Sequence, residues 1–292
     1  MLELFESYLT SEKRYSEHTV TAYLNDVHSV LAFNTIKDLN ELHELTHHSI
    51  RGWMISLIED GVENRSVNRK LSSLRTFFKW AKRSAIIEID PMLRVKGPKQ
   101  NKRLPEFVKE EEFNSQITEK LFTNDFSGIR DHVMVELFYQ TGIRLSELIG
   151  LKENDVFDQS IKVLGKRNKE RIIPISNELD GLIKNYVVLK HELAFNISSL
   201  LVTDKGNKLY PKFVYRKINY YLSLITNLGK KSPHILRHTF ATHMLNNGAG
   251  LESLKEILGH ANLSATQVYT HNSFDKLTNI YKQAHPRGHK NE

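Results

Sequence analysis

Two histidines, an arginine and a tyrosine fall close together between Ser232 and His271, in the stretch SPHILRHTFATHMLNNGAGLESLKEILGHANLSATQVYTH. His234 and Arg237 stand three residues apart, His260 follows a Leu-Gly pair, and Tyr269 precedes Thr270 and His271. These residue types suit chemistry at a phosphodiester, which carries one negative charge and gains another as a nucleophile adds. A guanidinium is planar, permanently charged and able to grip two phosphate oxygens at once. Imidazole donates hydrogen bonds to such oxygens or moves a proton near neutral pH. A tyrosine hydroxyl can attack and leave the phosphate covalently on the protein.

The local elements are arranged to bring the four together. Ser232 and Pro233 form a helix start, a side-chain cap followed by proline at the first helical position. Leu236, Phe240, Met244 and Leu245 recur at helical spacing, and Gly248 closes the helix in the left-handed region. A second short helix carries Leu251, Leu254 and Leu258 and stops at Gly259, with His260 just past it. A third segment presents Tyr269. Blander roles exist for each residue taken singly. His234 and His238 have a zinc-binding spacing, but Arg237 lies between them, the glutamate of a zinc-protease helix is missing and the chain has no cysteine. His238 reads as a core or supporting histidine, Asn262 and Ser264 as loop caps, and a lone tyrosine on a helix as core or surface.

Two upstream motifs add cations. In TGIRLSEL, Thr141 and Gly142 end a helix over Arg130 to Tyr139, Arg144 follows, and Ser146 and Glu147 open a short helix. Taken alone, Arg144 would pair with Asp131, Glu136 or Glu147; Glu147 reads as a support that orients an arginine. Val156 to Pro174 is the most convincing strand region, with Ile161 and Val163 alternating around Lys162, and Ile172, Ile173 and Ile175 returning after a turn. The turn, Gly165 to Glu170 in GKRNKERIIPI, holds Lys166, Arg167 and Lys169, and a lysine-rich turn is ordinarily just exposed.

Taken together, HxLRH, LGH, the tyrosine before Thr-His, TGIRLSEL and GKRNKERIIPI resemble the tyrosine recombinases, and most closely the Xer branch, which resolves chromosome dimers. The resemblance spans essentially the whole chain. It implies a mainly α fold: an N-terminal four-helix DNA core-binding domain, then a mostly helical catalytic domain with a small antiparallel sheet. It implies a site-specific recombinase that works through a 3′-phosphotyrosyl intermediate, with Tyr269 as nucleophile. Arg144, Arg237 and His260 would stabilise the nonbridging oxygens, His234 would assist proton removal from the tyrosine, and Lys166 would protonate the departing 5′-oxygen. No metal, cofactor or ATP is required, since the covalent bond conserves the phosphodiester energy. The implied partners are a double-stranded DNA target site, identical or paralogous subunits in a tetramer on paired sites, and a DNA translocase as regulator. Two rivals are a type IB topoisomerase, against which the short helical N-terminal half and the Xer-like motifs argue, and an architectural DNA protein, against which the intact set Arg144, Lys166, His234, Arg237, His260 and Tyr269 argues. Integration of a mobile element is the alternative role, although the extra arm-binding domain of many phage integrases is missing from this sequence.

The rest of the sequence is consistent with that expectation. The 292 residues, 40% of them hydrophobic, suit one large or two medium domains. A net charge of +7 and a pI near 9.3 favour a polyanionic partner. Zero cysteines exclude disulfides and thiolate metal sites. No apolar run reaches the roughly 20 residues that span a bilayer, and the acidic start lacks a signal pattern, so a cytoplasmic protein without membrane contact is expected. Residues 1–95 read as four helices with apolar stripes, the second capped by Ser16, the third by Thr46 and the fourth by Ser66. The other face of the fourth carries Arg65, Arg69, Lys70, Arg75, Lys79, Lys82 and Arg83: either a solvated surface or, in the near absence of acids, a phosphate-binding one. Residues 96–105, with Lys99, Lys102, Arg103, Pro98 and Pro105, read as an extended basic linker. The catalytic domain then covers 106–292. In it Val108 to Phe122 and Asn177 to Lys190 read as helices, Leu200 to Thr203 as a short buried strand, and Lys212 to Leu224 as a helix with Arg216 and Lys217 outward. Arg167, Lys169 and Arg216 join the expected DNA contacts. A tail helix from Ser273, stopping before Pro286, packs on its own domain or, as the resemblance implies, on a neighbouring subunit.

Overall fold

The computed structural model of the protein describes residues 2–99, 106–114, 120–165, 169–259 and 271–288. Contacts divide the chain into two units, Met1–Arg103 and Leu104–Glu292.

In the first unit α1 (Leu2–Ser7) runs on into a π-helical segment, Tyr8–Glu12, and is followed by α2 (Glu17–Phe33), α3 (His47–Glu59) and α4 (Asn64–Arg83). Thr46 caps α3 reciprocally: its hydroxyl accepts from the Ser49 N–H, and its own N–H donates to the Ser49 hydroxyl. The expected cap at Ser66 is displaced. α4 begins at Asn64, and Glu63 holds the cap position. Phe5, Val27, Val30, Trp53, Leu71, Leu74, Phe77 and Phe78 fill the core. Among the described residues one charged side chain lies in it: Asp26 is 1% exposed.

The linker expected at 96–105 is not a free strap at its start. Asn68 Nδ2 donates to the Pro98 carbonyl at 2.9 Å and Asn64 Nδ2 to the Lys99 carbonyl at 3.0 Å. Val95 is buried with the first unit's core. The amides of α4 satisfy a backbone that proline cannot fold into a helix of its own.

The second unit is mainly helical. Of the helix expected from Val108 to Phe122, the described residues show a 3-10 turn at Glu111–Phe113; 115–119 lie outside the description. α5 (Phe126–Thr141) is buried almost all round, with Asp125 Oδ1 accepting from the Gly128 N–H at its start. After α6 (Leu145–Gly150) comes a three-stranded antiparallel sheet in the order β1 (Val156–Phe157), β2 (Ser160–Leu164), β3 (Glu170–Pro174). β2 and β3 pair from Ser160↔Pro174 to Leu164↔Glu170, and the Gly165 N–H closes the hairpin on the Lys169 carbonyl at 2.7 Å. α7 (Asn177–Glu192), α8 (Pro211–Ile225), α9 (Pro233–Asn246), α10 (Leu251–Leu258) and α11 (His271–Ala284) complete the unit.

Three expectations change here. Leu200, Leu201 and Val202 are buried but form no strand; the neighbouring backbone makes only isolated bridges, Lys152↔Ser199 and Val202↔Lys208. Lys217 does not point freely outward, because its Nζ meets the buried Asp131 at 2.8 Å. Leu245 and Leu251 are exposed, and Ile257 takes the inward place on α10.

The tail helix α11 packs within its own unit. Leu277, Tyr281 and Ala284 are buried against the core. The Tyr281 hydroxyl donates to Gln140 Oε1 at 2.9 Å, and Asn247 Nδ2 donates to the Ala284 carbonyl at 3.0 Å. Just beyond the helix, Arg287 pairs with Glu136 at 3.0 Å. Among the described residues no helix is long and apolar enough to cross a membrane.

Candidate active site

The site is assembled around the C-terminal end of α10. α5 stops at Gly142, whose φ of +58° is the left-handed conformation of a helix end. A side chain there would also strike Phe240, 2.5 Å from the position of its Cβ. The reversal delivers Arg144 to the first position before α6, where its own N–H donates to Glu147 Oε2 at 2.7 Å. Its Nη1 donates to Glu147 Oε1 at 2.7 Å and its Nη2 to the Gly259 carbonyl at 3.2 Å. Of the three acids that sequence offered as its partner, Glu147 is the one that holds it.

Arg237 reaches the same place from α9. Its Nη2 donates to the Leu258 carbonyl at 2.8 Å, and its Nη1 donates to the Gly142 carbonyl. Burial first, and then the charge of Arg144, pull its pKa down to about 10, so it stays protonated at neutral pH. His234 is exposed one turn earlier on α9, at the i−3 position that shares a helix face with Arg237.

A third guanidinium, which the sequence reading did not single out, completes the arrangement. Arg171 on β3 is 4% exposed. It donates from Nε to the Ile257 carbonyl at 2.7 Å, and grips Glu147 with both nitrogens, Nη1 to Oε1 at 3.0 Å and Nη2 to Oε2 at 2.8 Å. Strand alternation carries the signal that could have found it. Arg171 falls on the buried face with Ile173, opposite Val163 in the ladder, and an arginine among buried neighbours requires a buried acid.

The carbonyls of residues 257, 258 and 259 are thus each taken by a different arginine. The end of a helix carries partial negative charge, and cations are favourable there. Gly259, at φ +64°, turns the chain immediately beyond them. Burial would raise the Glu147 pKa. The hydrogen bonds and charge of Arg171, with the bonds from Arg144, outweigh that and hold it at about 2, so Glu147 is ionised at neutral pH and is no proton carrier. One carboxylate faces three guanidiniums, and the excess positive charge makes the place suited to an anion.

Lys166, His260 and Tyr269 lie outside the described residues. Tyr281, the tyrosine of the tail helix, is buried. Burial pushes its pKa well above the ordinary tyrosine value, which makes it a poor source of phenolate. Among the described residues no group of three or more histidine, aspartate or glutamate side chains could hold a metal ion.

The expected DNA contacts divide into several groups. Arg65 and Lys79 are exposed on α4. Arg75 is exposed as well, with Nη2 3.4 Å from the Val95 carbonyl. Arg69 and Lys70 are instead drawn onto Asp26: Arg69 donates to both carboxylate oxygens, at 2.6 and 2.9 Å, and Lys70 to one at 3.0 Å, while Ser73 adds a bond at 2.8 Å. The sequence reading placed both on an acid-poor face because Asp26 sits on a different helix. Lys169 is exposed at the hairpin, and Arg216 is exposed on α8 within 3.3 Å of the Tyr210 hydroxyl. Lys99 is exposed, with its carbonyl tied to Asn64. Lys102, Arg103 and Arg167 lie outside the described residues.

Known proteins resemble this chain in sequence and in fold. Residues 107–276 match the phage integrase family, and residues 2–85 match the phage integrase N-terminal SAM-like domain. The chain is 36% identical to the tyrosine recombinase XerC of Chlorobaculum tepidum, over 97% of this chain and 93% of that one. It is 35% identical to the tyrosine recombinase XerC of Bacillus subtilis, over 99% of this chain and 97% of that one. Among solved structures, the fold is shared with the XerH site-specific recombinase bound to a palindromic difH substrate in a post-cleavage complex. There the TM-score is 0.72 at 18% identity, covering 94% of this chain and 79% of that one. It is shared also with a lambda integrase (75–356) dimer bound to a COC′ core site, with a TM-score of 0.68 at 16% identity over 92% of this chain and 98% of that one. With family profiles on both units and relatives aligned along nearly its whole length, the chain belongs to the phage integrase family as a tyrosine recombinase, an enzyme that cuts and rejoins DNA.

Proposed function

We propose that the chain is a site-specific recombinase of the Xer kind, acting on duplex DNA in the cytoplasm to resolve chromosome dimers. Tyr269 attacks the scissile phosphate and forms a 3′-phosphotyrosyl bond. Arg144, Arg237 and His260 bind the nonbridging oxygens, where charge develops. His234 assists removal of the tyrosine proton, and Lys166 protonates the departing 5′-oxygen. A second DNA end then attacks the phosphotyrosine, so two sites exchange strands with no external energy source. Subunits work in pairs on each site and in fours on paired sites, a mode in keeping with the lambda integrase tetramer on a Holliday junction.

One observation carries this reading. Arg144 and Arg237, from separate motifs, end on the adjacent carbonyls of Gly259 and Leu258, at the point where the chain enters the LGH motif. The exposure of Arg65, Arg75 and Lys79 on α4 supports a phosphate-binding surface on the first unit. The decisive experiment mixes the purified protein with DNA from its source cell, denatures the mixture and sequences whatever DNA remains covalently attached. Wild type yields an adduct at a discrete site, and Tyr269→Phe yields none. An adduct that survives Tyr269→Phe, or one spread without preference along a plasmid that is merely relaxed, overturns the reading.

A further inference from the structure

Glu147 has two arginine partners and one charge to share between them. Its Oε1 receives Arg144 Nη1 and Arg171 Nη1, and its Oε2 receives the Arg144 backbone N–H and Arg171 Nη2. The two claims on it are unequal. Arg171 is buried and lies fork to fork with the carboxylate, the geometry in which such a pair is strongest. Arg144 is one third exposed and gives the carboxylate a single side-chain bond. A guanidinium has five N–H donors, and Arg144 spends one on Glu147 and one on the Gly259 carbonyl among the described residues. If Glu147 had no other cation, the full fork of Arg144 would be drawn onto it. A carboxylate paired in that way would neutralise the guanidinium and turn its donors away from an incoming phosphate.

We propose that Arg171 is a positioning residue that takes up the charge of Glu147, so that this carboxylate orients Arg144 without neutralising it. The same side chain ties β3, one arm of the hairpin, to the Ile257 carbonyl at the end of α10. It therefore also sets the distance between that hairpin and the helix end on which Arg144 and Arg237 converge. The inference rests on the proposed action of Arg144 at the scissile phosphate and adds to it a residue that touches no substrate.

The test measures single-turnover adduct formation for wild type, Arg144→Ala, Arg171→Gln, Glu147→Gln and the double variant Glu147→Gln/Arg171→Gln, with thermal melting to confirm folding. Arg171→Gln is expected to slow cleavage by roughly a hundredfold, the usual cost of a misplaced reacting group. The double variant is expected to be faster than Arg171→Gln, because a neutral glutamine no longer captures Arg144. A second readout replaces the charged nonbridging oxygen of the scissile phosphate with a methyl group. That neutral substrate needs less from Arg144, so the defects of Arg144→Ala and Arg171→Gln shrink together. Should Arg171→Gln fail to fold, Arg171→Lys, which keeps the cation and loses the fork, is compared with Glu147→Gln/Arg171→Lys in the same way. A double variant slower than the Arg171 single variant, with an equal Arg171 defect on both substrates, makes Arg171 a structural strut and overturns the proposal. Normal cleavage by Arg144→Ala would instead overturn the underlying reading of Arg144, and an Arg171→Gln enzyme as fast as wild type beside a disabled Arg144→Ala would sink this inference alone.

Discussion

Arg237 and Leu258 are joined by a 2.8 Å hydrogen bond from Nη2 to the carbonyl, so the second turn of α9 holds the last turn of α10. The same guanidinium also holds the Gly142 carbonyl, where α5 ends. A lysine could keep the charge but cannot make both bonds in one plane. Arg237→Lys is expected to lose about 1.5–3 kcal/mol of stability, the range for hydrogen bonds that involve a charged group. Adduct formation should fall by roughly two orders of magnitude, as when an oxyanion donor is removed. Denaturant titration and single-turnover cleavage measure the two separately. A variant with normal cleavage and only reduced stability would assign Arg237 to the fold.

Asp26 makes a pH-sensitive brace in the first unit. Burial raises its pKa, and the bonds from Arg69, Lys70 and Ser73 outweigh burial, so the folded value lies below the ordinary carboxylate value. The sign follows. The unfolded chain binds the proton more readily, so the brace is fully present above about pH 4 and is lost as pH falls through the folded value. Asp26→Asn is expected to destabilise the protein at pH 7 by about 1–3 kcal/mol, below the usual cost of breaking a buried ion pair because Arg69 is half exposed. The gap between variant and wild type should narrow as pH falls below about 4. A gap that stays constant across that range would assign the stabilisation to packing rather than charge.

The basic face of α4 sorts into cations that Asp26 holds and cations that it does not. Replacing Arg65, Arg75 and Lys79 together with glutamine should flatten the log–log dependence of DNA affinity on salt by up to about 2.7, at roughly 0.9 per phosphate contact. Lys70→Gln should leave that slope unchanged while lowering thermal stability, since its Nζ is committed to Asp26. Equal slopes for wild type and the triple variant would make the face a merely solvated one.

The tail carries a second titration, which also weakens the fold as pH falls. His285 is fully buried, with Nε2 3.2 Å from the Tyr139 carbonyl and its ring stacked on Tyr281 at 4.9 Å. Burial, helped by the charge of Arg287 and opposed by the bond to Tyr139, brings its pKa down to about 3. It is neutral in the fold and protonated in the unfolded chain below about pH 6.5. Its contribution is therefore complete above pH 6.5 and is lost as pH falls toward 3, at up to about 1.4 kcal/mol per pH unit. His285→Asn should flatten the loss of stability between pH 6.5 and 4, read by thermal melting. An unchanged pH profile would place the acid sensitivity elsewhere, with the buried His243 the next group to vary.

The role of Lys166 has a chemical test that needs no geometry. An alkoxide leaving group is poor, since the pKa of water is about 15.7, whereas a thiol near 8.5 leaves without a proton. With sulfur at the bridging 5′ position, Lys166→Ala should cleave nearly as fast as wild type, although it is very slow on the normal substrate. Arg144→Ala and Arg237→Ala should stay impaired on both. Sulfur rescue of Lys169→Ala in place of Lys166→Ala would show that the wrong lysine of the hairpin has been assigned.

Residue order alone determined much of this protein. Apolar periodicity and the punctuation by Thr46, Gly142, Gly248 and Gly259 located the helices, because the caps and left-handed turns depend on side chains next to one another in the chain. The ordered motifs around Arg144, Lys166, Arg237, His260 and Tyr269 pointed to the family for a similar reason, since their chemistry lies in residue types at fixed spacing. Tertiary structure decided which charges are free. Asp26 reaches Arg69 from another helix, Asp131 reaches Lys217 from α5, and Arg171 reaches Glu147 from the sheet, each across a separation that no local pattern encodes. It also decided where the tail lies. An amphipathic stripe on Leu277, Tyr281 and Ala284 states that one face must be covered, but the covering surface is built from β3, α5, α9 and α10, and it exists only once those elements have packed.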